Sequence, residues 1–226
     1  MARSSTRNSA FSFLFALLAG FPSSSIPIAP TGCPNDLGSP IPNFCVVTPN
    51  VLWRGAKPAQ DGASWLVQHR VRTIVNLELL HDDRRVFGQI KLANAGRYEV
   101  VYFRISDWEP NAVLAPGTLD DHIAHFLAVV DGQPKPVYVH CRSGQNRTGV
   151  MVAAYRVIVE GVSTDAAIEE MGRYQGIWFK ADSGYIRSLS PERRDEIRRK
   201  AAAWRQKLKR GSKIVCENGK CKVSKG

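Results

Sequence analysis

Residues 136–150, PVYVHCRSGQNRTGV, put a cysteine and an arginine six positions apart across a glycine-bearing loop. Val137, Tyr138 and Val139 favour a strand, Ser143 and Gly144 let the backbone curl without side-chain obstruction, and a helix can start near Arg147. Successive N–H groups in such a turn point inward and form an anion-binding nest, reinforced by the positive end of the helix. Cys141 stands at the rim of that nest, a setting that favours the thiolate, the form of cysteine that acts as a nucleophile. Arg147 closes the ring, because its planar fork donates two hydrogen bonds to phosphate oxygens, which a lysine ammonium does not match. The chemistry implied is attack of sulfur on phosphorus inside a phosphate trap.

The stretch HCRSGQNRT (140–148) resembles the His-Cys-x5-Arg-Ser/Thr signature of the cysteine-dependent protein tyrosine phosphatase superfamily. LWRGAKP (52–58) is similar to the Tyr-Arg-x-x-x-Pro opening of the compact bacterial and plant-fungal atypical dual-specificity phosphatases, with Trp53 in place of tyrosine. The resemblance covers about residues 46–190. It implies that Cys141 forms a cysteinyl-phosphate and that Arg142, Ser143, Gly144, Gln145, Asn146 and Arg147 bind the phosphoryl group. Thr148 would hydrogen-bond the departing thiolate, and His140 would orient the loop rather than act as a base. A leaving phenolate or alkoxide needs a proton. The family takes it from an aspartate on a loop after the preceding strand, where EVVYFRISDWEP offers Asp107, with Glu109 as runner-up. Asp120 and Asp121 are read as serving a helix N-terminus. His69, His81, His122 and His125 lack metal-ligand spacing and read as surface or packing residues. The chemistry requires no metal and no cofactor.

The elements that must position these residues follow from periodicity. Strands are expected at 51–55, 72–79, 99–105 and 136–140, and helices at 62–69, 82–95, 118–130, 147–160, 164–174 and 191–210. Thr118 is the expected cap of the helix over 118–130, Gly132 its stop, and Ser190 with Pro191 the start of the last helix. The alternation implies an α/β fold with a largely parallel central sheet flanked by helices, and the resemblance implies a protein tyrosine phosphatase-like arrangement.

The remainder bounds the setting. Thirty-one Lys/Arg against twenty Asp/Glu give a net charge of +11, and residues 191–213 hold ten Lys/Arg against three Asp/Glu. That segment reads as a solvated helix face or as a contact for an anionic surface, not as a specific nucleic-acid site. Arg3 and Arg7 precede the twelve-residue apolar run AFSFLFALLAGF (10–21). Its length suits a cleaved signal peptide over residues 1–25 better than a membrane span, and predicts an exported, periplasmic or secreted protein; an uncleaved anchor over 10–21 is the alternative. A Pro/Gly-rich lead (26–45), a phosphatase domain (46–190) and a basic helix with a cysteine-bearing tail (191–226) complete the division. Asn218-Gly219 is a type I′ hairpin signal. If that turn forms, Cys216 and Cys221 face each other where Cβ atoms lie closest, which predicts a disulfide between them. Cys33–Cys45 then follows by elimination and Cys141 stays free, the competing pattern being a staple from Cys33 and Cys45 to the tail. The leading substrate is phosphotyrosine in proteins, with or without phosphoserine and phosphothreonine. Inositol phosphates or phosphoinositides are the alternative, since Arg142 adds a cation to the loop while Gln145 and Asn146 are neutral. A non-catalytic envelope binding module is the third reading. A monomer is expected.

Overall fold

The computed structural model describes Met1 and residues 36–90, 97–174, 176–208, 211–218 and 220–224. The expected signal segment beyond Met1, with its apolar run 10–21, and Cys33 lie outside the described residues. Seven strands, β1 (Cys45–Thr48), β2 (Leu52–Ala56), β3 (Thr73–Asn76), β4 (Tyr98–Arg104), β5 (Val137–Cys141), β6 (Ser212–Glu217) and β7 (Lys220–Ser224), form one sheet in the order β1-β2-β5-β3-β4-β6-β7. The helices are α1 (Gln60–Gln68), α2 (Arg84–Gly88), α3 (Asn111–Leu114), α4 (Pro116–Gly132), α5 (Asn146–Ile158), α6 (Thr164–Gly172), α7 (Phe179–Arg187) and α8 (Pro191–Lys207).

The four inner strands β2, β5, β3 and β4 are parallel, as expected, while β1 and the β6–β7 hairpin add antiparallel edges, so the sheet is mixed. β5 is buried along its whole length between β2 and β3. Its side chains alternate between the two faces: Val137, Val139 and Cys141 pack with Ile123, Phe126, Met151 and Ile186, whereas Tyr138 packs with Trp53, Leu66 and Ile74. Each of those fully buried apolar side chains contributes about 1.5–3 kcal/mol of burial free energy. The consequence for function is positional. Cys141 leaves the sheet at its centre, with strands on both sides and no edge nearby.

Several expected boundaries move. α4 starts at Pro116, whose ring suits the first helical position, and not at a Thr118 cap. The helix expected over 82–95 is the short α2 within the described residues. α3, α7 and β1 have too few periodic apolar residues to be read from the sequence. Ser190 does cap α8, its hydroxyl accepting from the Arg193 N–H.

The boundary at 190 is not a break in packing. Ile197 of α8 is fully buried, and Arg193, Lys200 and Arg205 pair with Asp120, Asp121 and Asp131 of α4. Arg198 donates to the Ile158 carbonyl at the end of α5. Much of the basic segment therefore holds the helix to the domain. Asp120 and Asp121 are anchors for α8 rather than helix-dipole partners. Beyond α8, β6 pairs with β4, extending the sheet with the tail. Cys216 and Cys221 sit opposite each other and form a disulfide, with Glu217 and Lys220 closing the turn. Cys45 is also disulfide-bonded, which puts an oxidised cysteine at the start of β1; Cys33, its expected partner, is not among the described residues. The boundary at 45 is equally soft, because Ile41, Phe44 and Cys45 are buried and the Pro42 carbonyl accepts from Ala56 N–H.

Candidate active site

β5 delivers His140 and Cys141 to the mouth of the sheet, and α5 begins five residues after Cys141, at Asn146. Three successive carbonyls of the intervening loop are tied to groups outside it. Arg142 O accepts from Lys57 N–H at 3.3 Å, Ser143 O from Asn43 Nδ2 at 2.8 Å, and Gly144 O from the Arg54 guanidinium. A trans peptide holds each N–H opposite the preceding C=O. The N–H groups of Ser143, Gly144 and Gln145 are thereby turned away from those partners, the orientation that the nest suggested by the sequence requires. Gly144 has φ +73°, and a Cβ there would sit 2.6 Å from the Ala56 nitrogen, so no other residue fits.

Cys141 is 1% exposed and is the free cysteine of the described residues. Within electrostatic reach of it the structure places a cation that sequence reasoning did not assign. Arg54 is fully buried, lies 3.8 Å over the Tyr174 ring, and has Nε and one terminal nitrogen unpartnered. Burial lowers its pKa, an effect that the neighbouring Tyr174 and Cys141 oppose. The signal available was a charged residue inside the otherwise buried run LWRGA.

His140 is held as expected of an orienting residue. Its Nε2 lies 2.8 Å from Asp83 Oδ2, both side chains are fully buried, and Nδ1 lies 3.4 Å from the Cys141 carbonyl. Asp83 also faces His81 Nε2 at 3.0 Å and the Tyr102 hydroxyl. Burial alone would raise the Asp83 pKa, but His140 and His81 together hold it below the usual carboxylate range. Nothing in the sequence marked Asp83, which lies 57 positions upstream of His140 and reaches it only through the fold.

Arg147 opens α5. One terminal nitrogen donates to the carbonyls of Leu77 (3.2 Å) and Asp107 (3.3 Å), the other pairs with Glu109 Oε1 at 2.8 Å, and Nε has no partner. Thr148 is fully buried with its hydroxyl unpartnered, free for a sulfur acceptor. A family model described as "DSP-PTPase phosphatase fused to NAD+ Kinase" matches residues 39–184, the span that contains all of these groups.

The chain belongs to this DSP-PTPase phosphatase family.

Among curated proteins, it is similar to the dual specificity protein phosphatase TpbA of two Pseudomonas aeruginosa strains. It is 32% identical to one over 124 residues, 54% of this chain and 50% of the relative. It is 28% identical to the other over 185 residues, 77% of this chain and 67% of the relative. The chain thus spans between half and two thirds of the length of these relatives. The crystal structure of P. aeruginosa TpbA is 27% identical, covers 71% of this chain and 91% of its own, and gives a TM-score of 0.55. A TpbA variant in complex with phosphotyrosine gives 26% identity and the same TM-score. The catalytic core of the PP-IP phosphatase Siw14 of S. cerevisiae shares the fold at 20% identity, with a TM-score of 0.55 over 74% of this chain and 96% of its own.

In this phosphatase domain the expected acid, Asp107, stands on the loop after β4 and is 2% exposed. Its N–H donates to the Leu77 carbonyl at 3.2 Å. Its Oδ1 accepts from Asn111 Nδ2 at 3.0 Å and faces His122 Nδ1 at 2.7 Å. His122 is therefore not a surface or packing residue; it reaches the site from α4. Asp182 of α7 completes an acidic side, its pKa raised to about 7 by burial and by the charges of Asp107 and Glu109. Of the remaining histidines, His69 and His125 do pack, on Trp65 and on Trp204, the latter with its pKa lowered to about 4, chiefly by burial, whereas His81 does not: its Nε2 faces the buried Asp83 at 3.0 Å.

Proposed function

We propose that this chain hydrolyses phosphomonoesters through a cysteinyl-phosphate, with phosphotyrosine in proteins as the leading substrate and phosphoserine or phosphothreonine as further ones. The observation that carries the reading is the loop whose three carbonyls are pulled outward around a buried free cysteine, with Arg147 at its rim. The likeness to TpbA, solved with phosphotyrosine, supports the substrate class. In the first step Cys141 Sγ bonds to phosphorus, the ester P–O bond breaks, and Asp107 protonates the leaving oxygen. Arg147, turning from Glu109 to the phosphoryl oxygens, stabilises their charge in both steps. In the second step water attacks phosphorus, its proton passes to Asp107, and the S–P bond breaks. Thr148 then donates to the released thiolate.

Cys141→Ser tests the mechanism. The hydroxyl preserves the cradle but is a poor nucleophile at neutral pH, so turnover should vanish while phosphate binding remains. Hydrolysis by clean Cys141→Ser protein would overturn the reading. Assayed side by side, phosphopeptides should be turned over ahead of phosphoinositides and soluble inositol phosphates; the reverse order would move the substrate to the inositol class.

Export is also proposed. The apolar run 10–21 and the Cys216–Cys221 disulfide support it, since disulfides persist outside reducing compartments. N-terminal sequencing of native protein should find a start within about residues 20–33, as a cleaved signal of this length requires, and an intact Met1 on soluble cytosolic protein would overturn it.

A further inference from the structure

We infer that His122 is a positioning residue for the general acid: it fixes which oxygen of Asp107 carries the transferable proton and ties the acid loop to α4. The inference rests on the phosphatase reading above. Two nitrogens converge on the same oxygen, His122 Nδ1 at 2.7 Å and Asn111 Nδ2 at 3.0 Å from Asp107 Oδ1. An amide nitrogen only donates, and an imidazole with its proton on Nδ1 donates too. An acidic proton on Oδ1 would face two N–H groups, so Oδ1 is held as the acceptor and Oδ2 is left to carry the proton.

The two donors are not equivalent. Asn111 belongs to the four-residue α3 of the acid loop itself, so it moves with Asp107. His122 belongs to the seventeen-residue α4, whose Ile123 and Phe126 are fully buried in the core and whose other face is gripped by α8. The bond from Asp107 N–H to Leu77 O and that from the Arg147 guanidinium to Asp107 O already hold the main chain. What they leave free is rotation of the carboxyl group, and that is the freedom His122 removes.

The remaining titratable groups near this pair are Asp182 and Tyr185, which feel the charge of Asp107, Glu109, which acts on Asp182 and pairs with Arg147, and His125, which faces His122. No step requires a proton to pass through His122. Asp107 gives its proton to the leaving oxygen as the P–O bond breaks and recovers one from the attacking water. The role is therefore geometric, and its loss should scale with how much help the leaving group needs.

The test compares kcat/KM of the full chain on phenyl phosphate and on 4-nitrophenyl phosphate, because kcat/KM covers binding and the first P–O cleavage only. In Asn the side-chain amide nitrogen stands where Nδ1 stood, whereas Gln carries it one bond too far and Leu has none. His122→Leu and His122→Gln should lose about 10²-fold on phenyl phosphate, the cost of a misplaced catalytic group. They should lose little on 4-nitrophenyl phosphate, whose leaving group needs no proton, and His122→Asn should recover most of the loss. Equal loss on both substrates, loss on neither, or an Asn variant as poor as Gln would overturn the inference. Orthovanadate binding and thermal unfolding identify a variant that has not folded; if His122→Leu is one, the Asn–Gln pair decides alone. Wild-type protein inactive on both esters would overturn the phosphatase reading and this inference with it. A leaving-group effect in Asp107→Asn but in no His122 variant would overturn this inference alone.

Discussion

Around Cys141 the loop carbonyls are held by a backbone N–H, a fully buried guanidinium and one exposed amide, whereas the groups around the Asp107 carboxyl are side chains from three helices, one of them, His122, partly open to solvent. The phosphate loop has its carbonyls fixed by Lys57, Asn43 and Arg54, and a backbone approach at Gly144 that tolerates no Cβ. The acid loop has Asn111, His122 (24% exposed) and Asp182 around its carboxylate, and Trp108 is half exposed beside it. The two sides differ in sign as well, with Arg54 and Arg147 on one and Asp107, Glu109 and Asp182 on the other; the Arg147–Glu109 pair at 2.8 Å joins them. The difference follows from the chemistry. A cradle for a tetrahedral anion must be preorganised before charge develops, while an acid must change protonation state twice per turnover and needs a setting that does not lock it in one form.

The sharpest way to break this contrast is to deform the cradle. Gly144→Ala adds a Cβ in a left-handed conformation and against the Gly55–Ala56 backbone, which cannot move aside as a side-chain tip could. Turnover and phosphate binding should both be abolished, and stability should fall by more than the about 1–3 kcal/mol of a strained residue alone. Retained phosphate affinity by calorimetry would mean that the loop is softer than described.

A change on the acid side should be severe yet selective. Asp107→Asn should lower kcat/KM by about 10²–10⁴-fold on esters whose leaving group needs a proton, leave phosphate binding intact, and lose less on 4-nitrophenyl phosphate. A deficit independent of the leaving group, or one that appears instead in Glu109→Gln, would move the acid from Asp107.

The smallest expected effect is on stability and concerns Asp182. Its pKa in the folded protein is about 7 against an ordinary aspartate value of 3.8, so the folded state holds that proton more tightly than the unfolded chain. The stability this contributes is complete below about pH 4 and is lost as pH rises through about 7. Asp182→Asn removes the dependence. The variant should match wild type near pH 4 and exceed it at pH 7, by no more than about 4 kcal/mol for a three-unit shift. Urea unfolding across pH 4–7 checks it, and a constant difference over that range would mean that Asp182 is not the group responsible.

Legibility differed between the same two regions. Cys141, Gly144, Arg147 and Thr148 lie within eight residues; the expectations for the first three follow from residue type and spacing along one turn and that for Thr148 from the resemblance, so the phosphate cradle could be proposed before any fold was known. Asp107 was reachable because the resemblance implies an acid on the loop after a strand, and a β-prone run ends two or three residues before it. His122, Asp182, Asp83 and Arg54 were not assigned, because each acts through a partner between 15 and 90 positions away, and neither periodicity nor spacing carries that information. The tail shows both cases within a few residues. Asn218-Gly219 tolerates positive φ and sets the register that brings Cys216 opposite Cys221, a local rule that held. That the same hairpin would dock on β4 and extend the sheet was a long-range outcome, decided by which edge of β4 was open.

What the sequence by itself determined is the chemistry of the nucleophilic loop, the parallel inner strands and the turn that joins the two tail cysteines, because each depends on neighbours along the chain. What only the tertiary structure decided is the company those groups keep. It put the buried cation near the thiol and the carboxylate against His140, and it brought a histidine from α4 onto the acid and packed the basic helix on the domain. The physical reason is that desolvation and charge pairing are set by distance through space, and in this chain the residues that tune the site lie on elements that only sheet order and helix packing bring together.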